Sequence, residues 1–317
     1  MIARKHESAA STPVSPPGEG QEAKPFHGSR VEEGKEVGAY MHEDLGPTKT
    51  FRCVSWAEEM NPGWRTTMED AHRIIPHFDE DPLTSFFGVY DGHGVGRATV
   101  DLVESRLDEV LAEELKTPGD DSMEQRIIRS FLRTDVDTKL ANIVTSGATA
   151  VTCLIKVEKD EKTIHAANVG DSRAVLCRDG EAIRLTYDHK AEDEGEKKRL
   201  EAAGGFVLRN RVLGILAVAR SFGDQGMKEF VTAVPHVSET RVCSKCSFLV
   251  LACDGIWDVF LDAEAVRFIE EAISSNMAEK DVAGALLKEA IARGRQVLFF
   301  SLLLLLLDEV VLFAVGS

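Results

Sequence analysis

Runs of apolar residues that end in an acid and a glycine recur along the chain. The segment SFFGVYDG, residues 85–92, has the pattern of a buried strand, and SFLVLACDG, residues 247–255, repeats it. The segments ATAVTCLIKV and TIHAANVGD are rich in β-branched residues and are joined by the charged turn EKDEK. SRAVLCRDGEAIRLT predicts a hairpin that turns at Asp179-Gly180, because Asp-Gly tolerates the positive φ angles of a two-residue turn.

Helical periodicity appears in blocks between these strands. In RATVDLVESRLDEVLAEELK one apolar face is marked by Leu102, Val103, Leu107, Val110 and Leu111. Further helices are predicted for MEQRIIRSFLRTDVDTKLANIV, DEGEKKRLEAAGG, DAEAVRFIEEAIS and EKDVAGALLKEAIARG. This block order favours an α+β fold, with antiparallel sheets and helices packed outside them, over a parallel βαβ fold.

The two ends of the chain differ from its middle. Residues 1–48 are rich in Ser, Pro, Gly and Glu and predict a disordered N-terminal arm. Residues 49–295 have the pattern of one globular domain. Residues 296–317 form an atypical apolar tail that could include a last strand.

Charge and cysteine content narrow the class of protein. The 317 residues contain 37 Lys and Arg against 53 Asp and Glu, a formal net charge of -16. This charge repels phosphate backbones, so we expect no nucleic acid partner, and it suits a protein that gathers carboxylates around cations. The first residues show no signal-peptide pattern, and with Ile2 at the second position they show no N-myristoylation motif. We expect reduced thiols and a cytoplasmic or nuclear monomer.

Two of the six cysteines lie close together in VCSKCS, at Cys243 and Cys246. Such a pair could be half of a zinc site, but no second pair occurs at a suitable spacing. The alternative is the plain edge of a strand.

Four segments place acids at or beside the ends of apolar strands. They are RTTMEDAH with Arg65, Glu69 and Asp70, VYDGHG with Asp91 and His93, ANVGDSRA with Asp171, and LACDGIWD with Asp254 and Asp258. In any one segment, Asp and Gly could simply form a turn. Together they predict a cluster, because strands that converge in a sheet end near each other. Clustered carboxylates repel one another, and a hard divalent cation such as Mg²⁺ or Mn²⁺ relieves this.

Seven ordered motifs carry a family resemblance. They are RTTMEDAH, VYDGHG, SGATAV, ANVGDSRAVL, DHK followed by EKKRLEAAGG, LAVARSFGD and LACDGIWDVF. In this order they resemble the motifs of the metal-dependent serine/threonine protein phosphatases of type 2C. The resemblance spans about Phe51 to Arg293. It implies an αββα sandwich, in which two antiparallel β-sheets are flanked by helix pairs, and a two-metal centre at one end.

The resemblance also assigns metal ligands. Asp91 would bridge two Mg²⁺ or Mn²⁺ ions, Glu69 and the carbonyl of Gly92 would serve one ion, and Asp254 would serve the other through water. A third, weaker metal position would be held by Asp171, Asp254 and Asp258. Asp70 either ligates a metal or orients its neighbours.

Catalytic roles follow from the same resemblance. Arg65 would hold the phosphate of a phosphorylated Ser/Thr protein, since a guanidinium can bind two phosphate oxygens at once. His93 would protonate the leaving oxygen. The nucleophile would be a water bridging two metals, whose pKa the ions lower. Asp224, in SFGD, is interpreted as a structural or supporting acid and not as a ligand.

The chain departs from the family pattern at two places. Val95 stands where the family has a second glycine after the histidine, and a β-branched residue tolerates positive φ poorly. The family also has an Asp-Asn pair, with a ligand Asp, before its final strand, whereas this chain reads RQVLFFSLLLLLLDEVVLFAVGS.

Three interpretations of the tail remain open at the level of sequence. Asp308 could replace the missing ligand, with VVLFAV as the last strand. The tail could instead derive from a retained intron or an altered reading frame, which would leave the site one ligand short. It could also be a membrane segment, although Asp308 would lie inside the apolar run. The alternative function is therefore a pseudophosphatase that binds phosphoproteins without hydrolysing them.

Overall fold

The computed structural model describes residues 30–32, 35–41, 48–59, 68–294 and 300–306, and only the backbone of the first two ranges and the last. Within them the strands are β1 Arg30–Glu32, β2 Lys35–Met41, β3 Cys53–Glu59, β4 Asp70–Ile75, β5 Thr84–Gly94, β6 Ser146–Glu158, β7 Glu161–Val169, β8 Arg173–Arg178, β9 Glu181–Arg184, β10 Val207–Leu208, β11 Arg211–Val212, β12 Phe222–Gly223, β13 His236–Arg241, β14 Cys246–Ala252 and β15 Phe300–Leu306. The α-helices are α1 Ala98–Lys116, α2 Met123–Leu140, α3 Glu194–Ala202, α4 Asp254–Trp257, α5 Asp262–Ser274 and α6 Glu279–Arg293.

Two antiparallel sheets carry most of these strands. The first has the order β1-β2-β3-β15-β14-β8-β9. The second has the order β13-β7-β6-β5-β4, with β12 paired to β6. A separate small ribbon pairs β10 with β11. The antiparallel arrangement predicted from the block order of the sequence is confirmed.

The sheets face each other across an apolar core. Trp56 of β3 and Leu249 of β14 pack in one cluster with Val89 of β5 and Val151 of β6. Alternate residues of each strand point to this layer, because successive side chains in a strand face opposite sides of the sheet. The other faces of the sheets are left for the helices.

Helix pairs cover both outer faces and complete the predicted αββα sandwich. Val103 and Leu107 of α1 and Phe131 of α2 pack on the second sheet with Leu154. On the first sheet, α5 and α6 bury another cluster, which includes Leu286. The predicted face of α1 is therefore the buried one, although Leu102 at its edge is only half-buried.

Local sequence explains the ends of several elements. Ser122 Oγ accepts a hydrogen bond from the N–H of Gln125, and the Gln125 side chain accepts one from the N–H of Ser122, so that α2 begins with a capping box. Asp179 and Gly180 have φ angles of 56° and 77° between β8 and β9. The hairpin predicted at this Asp-Gly pair is confirmed.

The N-terminal region differs from the prediction of a disordered arm over residues 1–48. The structure forms β1 and β2 there, and β2 pairs along the whole of β3, from Lys35 opposite Glu59 to Met41 opposite Cys53. The physical reason is that β3 would otherwise present an open edge of unpaired N–H and C=O groups. Composition predicted disorder because it describes only the segment itself. It carries no information about the strand elsewhere in the chain with which the segment pairs.

The apolar tail over residues 296–317, which the sequence allowed to include a last strand, contains β15. β15 comes from the apolar run FSLLLLL and pairs on one side with β14 and on the other with β3. The segment VVLFAV and Asp308 lie outside the described residues. The part of the run in β15 is a central strand, which is a different structure from the membrane segment that was one interpretation.

Candidate metal and phosphate site

The central acids of the site lie where strands of both sheets end. Asp70 begins β4 and stands directly opposite Asp91 near the end of β5. Asp254 begins α4, two residues after β14 of the other sheet ends at Ala252. One possible ligand atom from each of Asp91, Cys253 and Asp254 lies within 4.8 Å of the others. The predicted convergence of strand-end acids is therefore seen for these carboxylates.

Asp70 is the most buried acid at this site. Its side chain is 1% exposed, and neither carboxylate oxygen has a hydrogen-bond partner among the described residues. Burial, and then the negative charges of Glu58 and Asp254, raise its pKa well above the usual value. A buried carboxyl in such surroundings is costly as an anion unless a cation accompanies it.

The pKa values of two neighbouring carboxyls are raised for the same reasons. Burial, followed by repulsion from Asp70 and Asp254, raises the pKa of Asp91 well above its usual value. Burial and repulsion from Asp254 raise the pKa of Asp171 to about 7, although the Lys190 ammonium opposes the shift. Apart from the Sγ of Cys253, the possible ligand atoms gathered here are carboxylate oxygens, which are the hard ligands that Mg²⁺ and Mn²⁺ prefer. The residues present therefore fit a divalent cation.

A lysine lies at the outer side of the cluster. Nζ of Lys190 is 3.2 Å from Oδ1 of Asp258 and 3.8 Å from Oδ2 of Asp171. Asp258 is about half-exposed, whereas Asp171 is buried. The ammonium thus partly neutralises two of the three acids matched to the weaker metal position. The sequence contained Lys190 within DHK but did not indicate this role.

The backbone approach at Glu69 requires a glycine at position 92. The N–H of Gly92 donates to the carbonyl oxygen of Glu69 at 3.2 Å. A Cβ added to Gly92 would lie 2.4 Å from that oxygen and 2.8 Å from Cγ2 of Val100. No side chain fits there, so the glycine keeps the acid-bearing ends of β4 and β5 together. Glu69 itself is 6% exposed beside this contact.

Arg97 anchors the same backbone and was not singled out by the sequence. Its Nη1 donates to the carbonyl oxygens of Met68 and Asp70, at 2.5 Å and 2.8 Å. Arg97 directly precedes α1 and follows the glycine-rich loop after β5. The sequence does show an arginine between a glycine-rich loop and a helix. It does not show which groups this arginine contacts, because the two carbonyls are 27 and 29 residues earlier.

His93 is held by an acid from a distant loop. Nε2 of His93 lies 2.7 Å from Oδ2 of Asp224, which also accepts a hydrogen bond from Ser221 Oγ at 2.5 Å. Burial opposes the ionisation of Asp224, but the bond to His93, the positive field of that ring and the Ser221 hydroxyl together hold its pKa below the usual value. A Cβ on Gly147 would lie 2.2 Å from Asp224 Oδ2 and 2.3 Å from His93 Nε2. Gly147 therefore makes room for this pair.

The glycine-to-valine departure at position 95 has a simple structural outcome. Positive φ angles occur at Gly94 (93°) and Gly96 (77°), and Val95 is not among the residues with positive φ. The Val95 side chain is exposed, and its N–H donates to the carbonyl oxygen of Thr145 at 3.0 Å. A β-branched residue is therefore tolerated at this position.

The direction of β15 bears on the missing Asp-Asn pair. Leu302 stands opposite Ala252 at the site end of β14, and Leu306 stands opposite Phe248 at the other end. The strand thus leads away from the clustered acids, by about 3.4 Å per residue. Asp308 and Arg65 lie outside the described residues. The described part of the tail, FSLLLLL, contains no residue with a carboxylate.

Comparison with known proteins places these features in context. A family model described as protein phosphatase 2C matches residues 56–297. Protein phosphatase 2C homolog 1 of Schizosaccharomyces pombe is 36% identical over 244 residues, covering 74% of this chain and 70% of that protein.

Solved structures resemble the fold. One described as a C. elegans sex determining protein has a TM-score of 0.72 and 27% identity, covering 83% of this chain and 66% of that one. Serine-threonine phosphatase 2C from Toxoplasma gondii has a TM-score of 0.68, covering 83% of this chain and 96% of that one; at 22% identity the likeness concerns the fold alone. Across the described residues, no helix is both long and apolar enough to cross a membrane.

Proposed function

Because the chain belongs to the protein phosphatase 2C family, we propose that it hydrolyses phosphoserine and phosphothreonine in proteins with the help of divalent cations. The observation that carries the proposal is the meeting of Asp70, Asp91 and Asp254 at the ends of two sheets. Burial raises the pKa of each of these acids, and repulsion from nearby carboxylates, which for Asp254 is that of Asp258, raises it further, so these acids need positive charge nearby when ionised.

We assign two Mg²⁺ or Mn²⁺ ions to this cluster. Asp91 would contact both, Glu69 and the carbonyl of Gly92 would hold one, and Asp254 would hold the other. When bound, such ions stabilise phosphoryl oxygens and lower the pKa of a water that acts as nucleophile. A third cation would be held by Asp171, Asp254 and Asp258, in competition with the Lys190 ammonium, which already contacts two of them.

His93 supplies the proton for the departing serine or threonine oxygen. The Asp224 carboxylate accepts the hydrogen bond of Nε2 and fixes the ring, which leaves Nδ1 as the proton donor. An alkoxide is a poor leaving group, so protonation is worth about 10²–10⁴-fold in rate. Arg65, from the matched motif RTTMEDAH, is assigned to the substrate phosphate because its guanidinium can bind two oxygens.

The test of this function is hydrolysis of a phosphothreonine peptide by the full chain, with Mn²⁺ or with a chelator. We expect turnover with Mn²⁺, and a loss of about 10³-fold in Asp91→Asn, because that change removes the central charged ligand. Asp120→Asn, an exposed acid on another surface, is the matched control. Equal rates with chelator and with Mn²⁺ would contradict the proposal.

A second experiment addresses the tail. Val297→Asp with Leu298→Asn restores an Asp-Asn pair shortly before β15, and Val297→Asn with Leu298→Asn is the matched control without the carboxylate. If the site is one ligand short, the first variant gains Mn²⁺ affinity and rate over the control. If the variant with the Asp-Asn pair hydrolyses the peptide and the unmodified chain does not, the unmodified chain is a pseudophosphatase. Equal turnover in all forms would show that the other ligands suffice.

A further inference from the structure

A tight turn with a cysteine at each end connects β13 to β14. The N–H of Cys246 donates to the carbonyl oxygen of Cys243 at 2.9 Å, and the two Sγ atoms are 3.6 Å apart. A β-turn holds its first and last Cα atoms within about 7 Å, and a disulfide needs a Cα separation of about 4.4–6.8 Å. The backbone is therefore already arranged for a disulfide between these residues.

The two thiols have different environments. Cys243 is exposed, whereas Cys246 is 0% exposed at the start of β14. The N–H of Lys245, and then the Cys246 thiol, lower the pKa of Cys243 by hydrogen bonding to its sulfur. An accessible thiol with extra thiolate character is the reactive kind, and a neighbouring thiol can resolve its oxidation product.

Two nitrogen donors contact the sulfur of the buried thiol. Nε of Arg178 and the N–H of Cys243 each lie 3.4 Å from Sγ of Cys246. An ion pair between Lys245 and Asp179 at 2.6 Å, and a bond from the N–H of Asp179 to the carbonyl of Lys245, hold the turn against the β8–β9 hairpin. These contacts with Asp179 hold the turn in place, so its two cysteines remain close together.

The remaining cysteines are unlike this pair. Burial, with the nearby charge of Glu279, raises the pKa of Cys53 to about 12. Burial also raises the pKa of Cys153 and of Cys177, and Cys253 is buried beside the acid cluster. Cys243 is the exposed cysteine, so the chain provides its own buried thiols for comparison.

We propose that Cys243 and Cys246 form a dithiol that is oxidised to a disulfide by hydroperoxides. The Cys243 thiolate attacks an oxygen of hydrogen peroxide: an S–O bond forms, the O–O bond breaks, and hydroxide leaves as water with the thiol proton. The Cys246 sulfur then attacks the sulfenic sulfur; the S–S bond forms, the S–O bond breaks, and a second water leaves. Two thiols are oxidised and one peroxide is reduced, and an external dithiol reverses the change.

The pair is a separate feature from the proposed hydrolytic site. Cys246 and Ala252 are at opposite ends of β14, about 20 Å apart at the rise of a strand. A metal site would need further ligands, and among the described residues the group that could hold a metal is Asp91, Cys253 and Asp254. The inference therefore does not depend on the proposed phosphatase activity.

The experiment treats the reduced, desalted full chain with hydrogen peroxide and samples it over time. Free thiols are blocked by alkylation, and the peptides are identified by mass spectrometry. As the disulfide forms, we expect the peptide with both cysteines to escape alkylation and to have lost two hydrogens, about 2 Da, relative to its unalkylated dithiol form. Its reaction should be at least about tenfold faster than oxidation of Cys53 or Cys153. Dithiothreitol should restore the starting mass.

Two variants separate the roles of the thiols. In Cys246→Ser the sulfenic acid of Cys243 should persist and react with a 1,3-diketone probe. In Cys243→Ser, the buried Cys246 should oxidise no faster than the other buried cysteines. The proposal is overturned if wild-type Cys243 oxidises no faster than Cys153, or if it goes to sulfinic or sulfonic acid without the internal disulfide.

Discussion

Nε2 of His93 and Oδ2 of Asp224 are 2.7 Å apart, although the residues are separated by 131 positions in sequence. The contact joins the end of β5 to the loop after β12. Ser221 donates to the same Asp224 oxygen, and Gly147 leaves the space in which the pair meets. Asp224 is thus a positioning residue for the proposed proton donor.

Asp224→Asn should lower turnover of a phosphothreonine peptide by about 10–100-fold, part of the general-acid contribution. The loss should be smaller with an aryl phosphate, because its phenolate leaves with less help from a proton. The measurement is kcat and KM for both substrates, with the exposed Asp160→Asn as control. An equal loss on both substrates would argue that Asp224 only supports the local fold.

Gly92→Ala should remove activity and destabilise the domain. The new Cβ would lie 2.4 Å from a backbone oxygen of Glu69, which cannot move aside as a flexible side chain would. We expect a cost of about 1–3 kcal/mol in the free energy of unfolding and at least a 100-fold loss of rate. Gly226→Ala is the matched control, because a Cβ there meets nothing within 4 Å. Chemical denaturation and the peptide assay measure both effects.

Stability of the metal-free protein should fall as pH rises toward neutrality. The pKa of Asp171 is raised to about 7, so between about pH 4 and about pH 7 the folded state binds more protons than the unfolded state. The free energy of unfolding therefore decreases with pH across that window. In chelator, the Tm of the wild type should drop between about pH 5 and about pH 7.5, and Asp171→Asn should flatten the drop.

Mn²⁺ should reverse this pH effect, with a larger gain in Tm at about pH 7.5 than at about pH 5, because cations bind ionised carboxylates. The exposed Glu192→Gln is the control for removing an acid from the surface. If Asp171→Asn keeps the wild-type slope in chelator, the carboxylate of Asp171 is not the source of the effect.

Arg97→Met should weaken metal binding without touching a proposed ligand side chain. The change removes the donors to the carbonyls of Met68 and Asp70, at a cost of about 1.5–3 kcal/mol for hydrogen bonds from a charged group. Titration calorimetry with Mn²⁺ should then show lower affinity than in Arg267→Met, where the arginine is on an exposed helix face. Unchanged affinity in Arg97→Met would mean that the backbone at 68–70 holds its position unaided.

Local patterns in the sequence predicted the features that depend on neighbours in the chain. Asp91 and Asp254 could be identified because each follows an apolar strand, and strand ends in a sandwich converge. Asp179-Gly180 could be identified because its turn geometry is local. The relation of Asp224 to His93, and of Lys190 to Asp171, depends on how distant loops pack, which no periodicity encodes.

The two ends of the chain were hardest to predict for a related reason. Composition marked residues 30–41 as part of a disordered arm, yet β2 pairs with β3 because that strand offers an open edge. The tail was ambiguous because its run of leucines shows no alternation of apolar and polar residues. A central strand, a membrane segment and an out-of-frame peptide can all lack such alternation. Pairing partners on both sides of β15, and not its own residues, resolve part of this ambiguity.

The central place of β15 has a consequence for how the molecule is made. Strand β3 is synthesised long before residues 300–306. It cannot join β14 and the strands beyond it until those residues form β15. Contacts between such distant segments form slowly, and until they form the unpaired strand edges are prone to aggregate with other chains. Folding of this sheet therefore requires a leucine-rich segment to insert between β3 and β14, a step at which chaperones would have their greatest effect on yield.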